Sequence, residues 1–191
     1  MSEIFSRDKI KFYLSDPNTL TLARVAAVPV IVVLLLFPNR PCTFLAALLF
    51  SAASITDYLD GFFARRQGLT SEFGKIMDPL ADKLLSSLTL IMLSGHGWIP
   101  AWVVCVIIGR ELSVTGLRNA VSQKGKDASA SWLGKYKTGF QIAAIIPLLF
   151  HYPYFGIQLH AIGMVMLWAA LILTVWSGID YMIRYTKILR S

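Results

Sequence analysis

Long apolar blocks separated by short polar connections constrain this chain more than any other feature of its sequence. Hydrophobic residues make up 55% of the 191 residues, and only 15% are charged. A soluble domain usually has about 25% charged residues, and about 20 mostly apolar residues span the hydrocarbon core of a bilayer. Six blocks reach or approach this length, at residues 20–37, 43–64, 79–95, 99–117, 138–150 and 159–183. The sequence therefore predicts an all-α integral membrane protein with six transmembrane helices in a single domain over residues 1–191.

The basic residues predict how these helices are oriented. Of the 18 Lys and Arg residues, only Arg40 lies in the first, third or fifth connection. Basic connections stay on the cytoplasmic side, so a multi-pass inner-membrane protein with both termini in the cytoplasm is expected. The same rule explains the net charge of +7 without a nucleic-acid partner. Residues 1–14 are interpreted either as an interfacial helix that contacts anionic membrane lipids or as a polar tail.

Four aspartates occupy the facing ends of the second and third predicted helices. A charged side chain inside a membrane costs at least about 2.5–3.5 kcal/mol at the helix centre, so it suggests a functional site. Asp57 and Asp60 are spaced i, i+3, and Asp78 and Asp82 are spaced i, i+4, so each pair shares one helix face. The connection between the two helices is short, and the pairs are expected to converge at the cytoplasmic end. Alternatively they are interfacial caps and ion-pair partners, since Asp78 before Pro79 is typical of an N-cap.

Converging carboxylates favour a metal site. Four of them cannot all be ionised without a counter-charge, and oxygen ligands suit a hard cation such as Mg²⁺ or Mn²⁺. The cluster contains no His or Cys, which argues against zinc. Two cations are favoured, because four carboxylates exceed the needs of one Mg²⁺ and a metal pair can clamp phosphoryl groups. Arg65 and Lys75 are close in sequence and are candidates for binding diphosphate oxygens.

The aspartate segment resembles the signature of the CDP-alcohol phosphotransferases, D-x2-D-G-x2-A-R-x8-G-x3-D-x3-D. Its eight fixed positions are filled by Asp57, Asp60, Gly61, Ala64, Arg65, Gly74, Asp78 and Asp82. The six-helix layout is similar to this family over nearly the whole chain. The resemblance implies the CDP-alcohol phosphotransferase fold, a homodimer, and transfer of a phosphatidyl group from CDP-diacylglycerol to a small alcohol.

The resemblance also implies roles for individual residues. The four aspartates would bind two divalent cations, and Asp82 would also be the general base. The residues implied for the CDP-diacylglycerol site are Asn18, Thr21, Gly61, Ala64, Arg65, Ser71 and Gly74. The small residues in this group leave room for the cytidine.

Three further stretches are similar to the phosphatidylglycerophosphate synthase branch of the family. They are residues 17–21 with Arg24, 109–111 with Arg118, and 134–138. The residues expected to bind the phosphate of an acceptor such as sn-glycerol 3-phosphate are Arg110, Arg118, Lys135 and Lys137. They supply more positive charge than a neutral alcohol needs, although positive-inside topology alone would also place cations here. Arg110 lies inside an apolar run, which favours a functional role at that position.

Other functions fit parts of the sequence. Serine or inositol phosphate is an alternative acceptor in the same chemistry, although the basic residues make serine less suitable. A cation-coupled transporter also uses intramembrane carboxylates, but its sites usually lie near the midplane between repeats, and no repeat is evident. A membrane scaffold without catalytic activity leaves the aspartates unexplained.

The histidines and cysteines are not assigned to the site. His96, His151 and His160 are predicted to lie on the membrane face opposite the aspartates, where a catalytic role is not expected. Cys42 and Cys105 lie in apolar blocks without metal-ligand spacing, and they are predicted to be buried free thiols.

Overall fold

The computed structural model describes residues 17–67, 72–123, 132–153 and 156–190. Their helices are α1 (Pro17–Leu36), α2 (Arg40–Gln67), α3 (Glu72–Gly95), α4 (Ala101–Gln123), α5 (Trp132–Leu149) and α6 (Leu159–Arg190). The prediction of an all-helical chain is confirmed for these residues. The possible interfacial helix at residues 1–14 lies outside them.

Two helices begin six or more residues earlier than the sequence predicts. Pro79 is typical of a first helical turn, but α3 already begins at Glu72, so the proline lies in its third turn and Asp78 is not an N-cap. An internal proline costs a backbone hydrogen bond, and α1 and α5 also contain one, at Pro29 and Pro147. Helix α5 starts at residue 132 instead of 138. The prediction placed its start too late because the lysine-rich first turns resemble a polar connection. Only residues 68–71 separate α2 from α3.

One helix in the described part of the chain is long and apolar enough to cross a membrane. It is the segment Leu159–Thr186 of α6, which has 28 residues. Shorter apolar segments are Leu22–Leu36 and Arg40–Thr56. Charged residues interrupt other helices, as Arg110 and Glu111 do in the middle of α4. Length and composition therefore support one of the six predicted spans.

The chain divides into two compact units, Met1–Leu88 and Thr89–Ser191. In the first unit, α1 packs against α2. The fully buried side chains include Leu35 of α1 and Phe50 of α2. Burying apolar surface contributes about 25 cal/mol per Å² where water is the alternative, so these large side chains define the core of this helix pair.

Local capping interactions fix two helix ends. The Oδ1 atom of Asn39 accepts a hydrogen bond from the backbone N–H of Cys42 at 3.0 Å, which makes Asn39 the N-cap of α2. At the C-terminal end of α3, the N–H of Trp98 donates a hydrogen bond to the carbonyl of Leu93 at 3.1 Å. Gly97, with a φ of 71°, supplies the left-handed residue that this Schellman arrangement requires. The chain is thereby turned sharply into α4.

In the second unit, α6 is the common partner of α4 and α5. Gly163 brings α6 close to α5, because a Cβ at this position would lie 2.7 Å from the Cγ of Leu148. The fully buried side chains include Ile107 of α4, Leu149 of α5 and Leu167 of α6. Helix α6 therefore forms the common packing surface for the two other helices.

The two cysteines are free, as predicted. The prediction that both are buried is wrong, because Cys105 is exposed on α4 and Cys42 is only partly buried. Trp102 and Val106 on the same helix are also exposed. Helix α4 carries apolar residues all around its first turns, so an apolar position there does not identify the packed face.

Candidate functional site

Helices α4 and α5 meet at the carboxylate of Glu111. Its Oε1 atom forms an ion pair with the Nζ of Lys137 and lies 3.5 Å from the Nη1 of Arg110. The side chains of Lys137 and Glu111 are only 3% and 13% exposed. A buried pair of this kind depends on both partners, because removal of one leaves a buried charge without its counter-charge.

Three residues of α6, here named the Arg110-binding face, hold the arginine from the other side. They are Ser177, Gly178 and Tyr181. The Nη2 of Arg110 donates a hydrogen bond to the Oγ of Ser177 at 2.8 Å. The Cγ of Arg110 lies against Gly178, where an added Cβ would be 3.0 Å away. The Cζ lies 5.5 Å from the centroid of the Tyr181 ring, which is within the range of a cation–π contact.

One donor of Arg110 is unsatisfied in the described part of the chain. Its side chain is 11% exposed, and its buried Nε has no hydrogen-bond partner in the described part of the chain. A buried donor without a partner costs about 1–3 kcal/mol, and the guanidinium fork matches a carboxylate or phosphate. The carboxylate of Glu111 faces two cations, which leaves an excess of one positive charge. This arrangement is suited to binding an anion.

The structure brings together two of the four residues predicted to bind the acceptor's phosphate. Arg110 and Lys137 meet at Glu111. Arg118 lies two turns further along α4, a rise of roughly 12 Å. Lys135 lies in the first turn of α5, and its side chain is outside the described ones.

The Arg110-binding face was not predicted from the sequence. Its signal is a pair of small residues, Ser177 and Gly178, inside an apolar helix of bulky side chains. Small residues in such helices mark close approach of a neighbour. The hydrogen-bond partner on α4 is 67 positions away in the chain, so nothing local indicates what approaches.

The four aspartates lie on the two helices joined by residues 68–71. Asp57 and Asp60 are in α2, and Asp78 and Asp82 are in α3. Asp82 has a described side chain, which is partly buried, and its carbonyl accepts a hydrogen bond from the Oγ of Ser86 at 3.0 Å. The described side chains contain no group of three potential metal ligands, but they exclude the other three aspartates. The predicted convergence of the carboxylates lies outside the described residues.

The residues implied for CDP-diacylglycerol also fall outside the described side chains. Asn18 and Thr21 lie in the first turns of α1, and Gly74 lies in the first turn of α3. The last turns of α2 contain Gly61, Ala64 and Arg65. Ser71 lies outside the described residues altogether. These assignments stay predictions.

The three histidines pack together with aromatic rings beside the loops after α3 and α5. The rings of Trp98 and His151 are stacked, with centroids 3.9 Å apart and an angle of 1° between their planes. The ring of His151 also lies 4.8 Å from that of His160, and the ring of His96 lies 5.1 Å from that of Trp98. Burial, followed by the nearby His160 and His96, lowers the pKa of His151. This cluster consists of packing contacts, and no described metal-ligand group includes it.

Comparison with known proteins gives curated relatives over most of the chain. A CDP-diacylglycerol–glycerol-3-phosphate 3-phosphatidyltransferase of Bacillus subtilis (strain 168) is 41% identical over 187 residues, which cover 92% of this chain and 97% of the relative. A probable phosphatidylglycerophosphate synthase of Mycobacterium tuberculosis (strain CDC 1551 / Oshkosh) is 44% identical over 87% of this chain and 79% of its own length. A CDP-diacylglycerol–glycerol-3-phosphate 3-phosphatidyltransferase of Escherichia coli (strain K12) is 35% identical over 87% of this chain and 92% of its own length.

A family model matches the sequence as well. The model for CDP-alcohol phosphatidyltransferase covers residues 14–176. That range contains the aspartate segment together with Arg110, Glu111 and Lys137. The resemblance seen in the aspartate signature is confirmed, and the chain belongs to the CDP-alcohol phosphatidyltransferase family.

Proposed function

We propose that this enzyme transfers the phosphatidyl group of CDP-diacylglycerol to sn-glycerol 3-phosphate, giving phosphatidylglycerophosphate and CMP. Membership of the family supports the phosphatidyl transfer, and the relatives from Bacillus subtilis and Escherichia coli carry this acceptor in their names. The observation that carries the choice of acceptor is the buried guanidinium of Arg110, whose Nε has no hydrogen-bond partner in the described part of the chain. The acceptor brings such an anion in its own phosphate, and charge-assisted bonds to phosphate are among the stronger hydrogen bonds.

The aspartates of α2 and α3 are the proposed ligands of two divalent cations. Their donor atoms are all carboxylate oxygens, which fits Mg²⁺ or Mn²⁺. The spacings of the two pairs put each pair on one face of its helix, and the four-residue connection at 68–71 favours neighbouring helices. When bound, the cations would supply charge stabilisation to the diphosphate and to the departing CMP.

The chain's own residues perform the remaining steps. Asp82 accepts the proton of the acceptor's hydroxyl group. The acceptor oxygen then forms a bond to the phosphorus that carries diacylglycerol, and the bond from this phosphorus to CMP breaks. The nucleotide is held by Asn18, Thr21, Gly61, Ala64, Arg65, Ser71 and Gly74. The phosphate of the acceptor is bound by Arg110, Arg118, Lys135 and Lys137.

The proposed location is the inner membrane, with six spans and a cytoplasmic active site. The distribution of basic residues supports this orientation, since 17 of 18 lie in or beside the connections and termini assigned to the cytoplasm. CDP-diacylglycerol keeps its acyl chains in the bilayer, while the water-soluble acceptor arrives from the cytoplasm. The enzyme is proposed to act as a homodimer, as the family resemblance implies.

An acceptor panel tests the proposed reaction. Purified enzyme is given CDP-diacylglycerol and Mg²⁺ or Mn²⁺, and release of CMP is measured with sn-glycerol 3-phosphate, inositol phosphate or serine. We expect sn-glycerol 3-phosphate to give the highest kcat/KM, and chelation of the divalent cations to stop the reaction. A preference for serine or inositol phosphate would contradict the acceptor assignment and leave the family assignment intact.

The role of Arg110 has its own test. Loss of one charge-assisted contact to a buried phosphate costs about 1.5–3 kcal/mol, or roughly ten- to a hundredfold in affinity. Arg110→Ala should therefore raise the KM for sn-glycerol 3-phosphate by this factor and leave the KM for CDP-diacylglycerol nearly unchanged. If both KM values rise together, Arg110 belongs to the nucleotide site or to the folded framework.

A further inference from the structure

We propose that Ser177 is a positioning residue for the transfer reaction. Through the hydrogen bond that it accepts from Arg110, it fixes the guanidinium in the orientation that binds the acceptor's phosphate. This inference rests on the proposed function of Arg110. It assigns to α6 a part in acceptor recognition although Ser177 itself does not contact the acceptor.

The hydroxyl group of Ser177 is committed to an acceptor role. The residue is fully buried, and its Oγ donates its proton to the backbone carbonyl of Thr174 at 3.2 Å. The oxygen then presents its lone pairs to the Nη2 of Arg110 at 2.8 Å, near the short end of the usual range for an N–H···O bond. The direction of the guanidinium is thus tied to a backbone position of α6.

The other contacts of Arg110 constrain it less. The Nη1 atom lies 3.5 Å from the Oε1 of Glu111, which is too long for a strong hydrogen bond. The Tyr181 ring, 5.5 Å from the Cζ, attracts the charge with little directional preference. Gly178 provides space for the arginine's methylene groups. Ser177 is therefore the contact that fixes the orientation of the guanidinium.

This arrangement leaves one donor of Arg110, the buried Nε beside Gly178, to be satisfied by a ligand. Ser177 satisfies the Nη2 atom, and no hydrogen-bond partner of the Nε occurs in the described part of the chain. Without the Ser177 oxygen, the guanidinium can rotate about its side-chain bonds, and the Nε is no longer held in one direction. The expected consequence is weaker binding of the acceptor with little change in nucleotide binding.

Kinetics of two Ser177 variants test the proposal. Ser177→Ala removes the oxygen that orients the guanidinium but leaves the cation, so it should raise the KM for sn-glycerol 3-phosphate less than Arg110→Ala does, by about two- to tenfold, the effect of one typical hydrogen bond. The KM for CDP-diacylglycerol should stay close to that of the wild type. Ser177→Thr keeps the hydroxyl oxygen and should restore most of the acceptor affinity. The matched control is Thr174→Val, which alters a buried hydroxyl one turn away with no described hydrogen-bond partner.

A double-mutant cycle with Arg110→Ala separates the possible outcomes. If Ser177 acts through Arg110, Ser177→Ala should have no further effect on the KM for the acceptor once Arg110 is replaced. An additional rise in that background would overturn the proposal, as would a normal KM in Ser177→Ala beside a raised KM in Arg110→Ala. Failure of Arg110→Ala itself to raise the KM would defeat the proposed role of Arg110, and the positioning role would fall with it.

Discussion

Gly163 and Leu148 are in such close contact that no side chain fits between α6 and α5 at this point. A Cβ added to Gly163 would lie 2.7 Å from the Cγ of Leu148 and 2.9 Å from its backbone nitrogen. A side chain can rotate away, but a backbone atom of a packed helix cannot. We therefore expect Gly163→Ala to destabilise the protein by about 1–3 kcal/mol, the usual cost of overpacking. Thermal unfolding in detergent measures this loss.

The matched control for this prediction is Gly116→Ala. Gly116 lies within α4 and would meet no atom within 4 Å. Alanine is favoured over glycine in helices by about 1 kcal/mol, so this variant should unfold at the same or a slightly higher temperature. An equal loss of stability in both variants would show that the close contact at Gly163 is not the cause.

The ion pair between Glu111 and Lys137 should be sensitive to the loss of either partner. Each single variant, Glu111→Leu or Lys137→Met, leaves a charge in a buried position, which typically costs about 3–5 kcal/mol. The double variant removes both charges and should recover much of this loss. The thermal midpoints of the three variants in detergent provide the test, and a double variant less stable than both single variants would contradict it.

The four aspartates should be indispensable for catalysis. Asp57→Asn, Asp60→Asn, Asp78→Asn and Asp82→Asn should each lower the rate of CMP release, in the case of Asp82 by at least about a hundredfold, which is the usual contribution of a general base. Their thermal midpoints should stay near that of the wild type. Asp180→Asn is the control, because Asp180 lies on α6 and pairs with Arg184 at 3.0 Å. Near-normal turnover in two of the four variants would rule out the two-metal site.

His151 should make the stability of the protein dependent on pH. Its folded-state pKa is lowered by burial and then by His160 and His96, whereas an unfolded histidine titrates near a pKa of about 6.5. The unfolded chain therefore binds more protons in acid, and stability present above about pH 6.5 is lost as the pH falls toward the lower folded pKa. His151→Phe keeps a ring beside Trp98 and should show a weaker decrease in thermal midpoint between about pH 7.5 and 5.5. Identical slopes would exclude His151 as the cause.

The helices could be predicted from the sequence because apolar blocks and capping residues are local signals. The predicted start of the last helix coincides with that of α6 at Leu159. The predicted starts of α3 and α5 were both too late, for different reasons. A proline suggested that α3 begins where it has already completed two turns, and lysines suggested that the first turns of α5 are a connection. Lys137 is instead buried in α5 because Glu111 on α4 provides its counter-charge. No local pattern contains that pairing.

The candidate site also contains residues that the sequence reveals and residues that it does not reveal. Arg110 could be identified because a cation inside an apolar run is unusual, and the aspartates could be identified because their spacing matches a signature. Ser177 could not, because serine is common in helices and its proposed role depends on an arginine far away in the chain. Residues that contact a substrate leave stronger patterns in a sequence than residues that orient them.

The hydrogen bond from Arg110 to Ser177 also determines when the entropy of the arginine side chain is lost. A flexible cation that closes on an anion loses rotamer freedom during binding, at a cost of about 0.5–1.5 kcal/mol for each immobilised side chain. Here an uncharged hydroxyl group orders the guanidinium during folding without neutralising it. In the proposed site, the acceptor would then meet a cation that is already ordered. On this proposal, affinity for the acceptor is coupled to the packing of α4 against α6, so a variant that loosens this helix pair should weaken acceptor binding without touching the substrate.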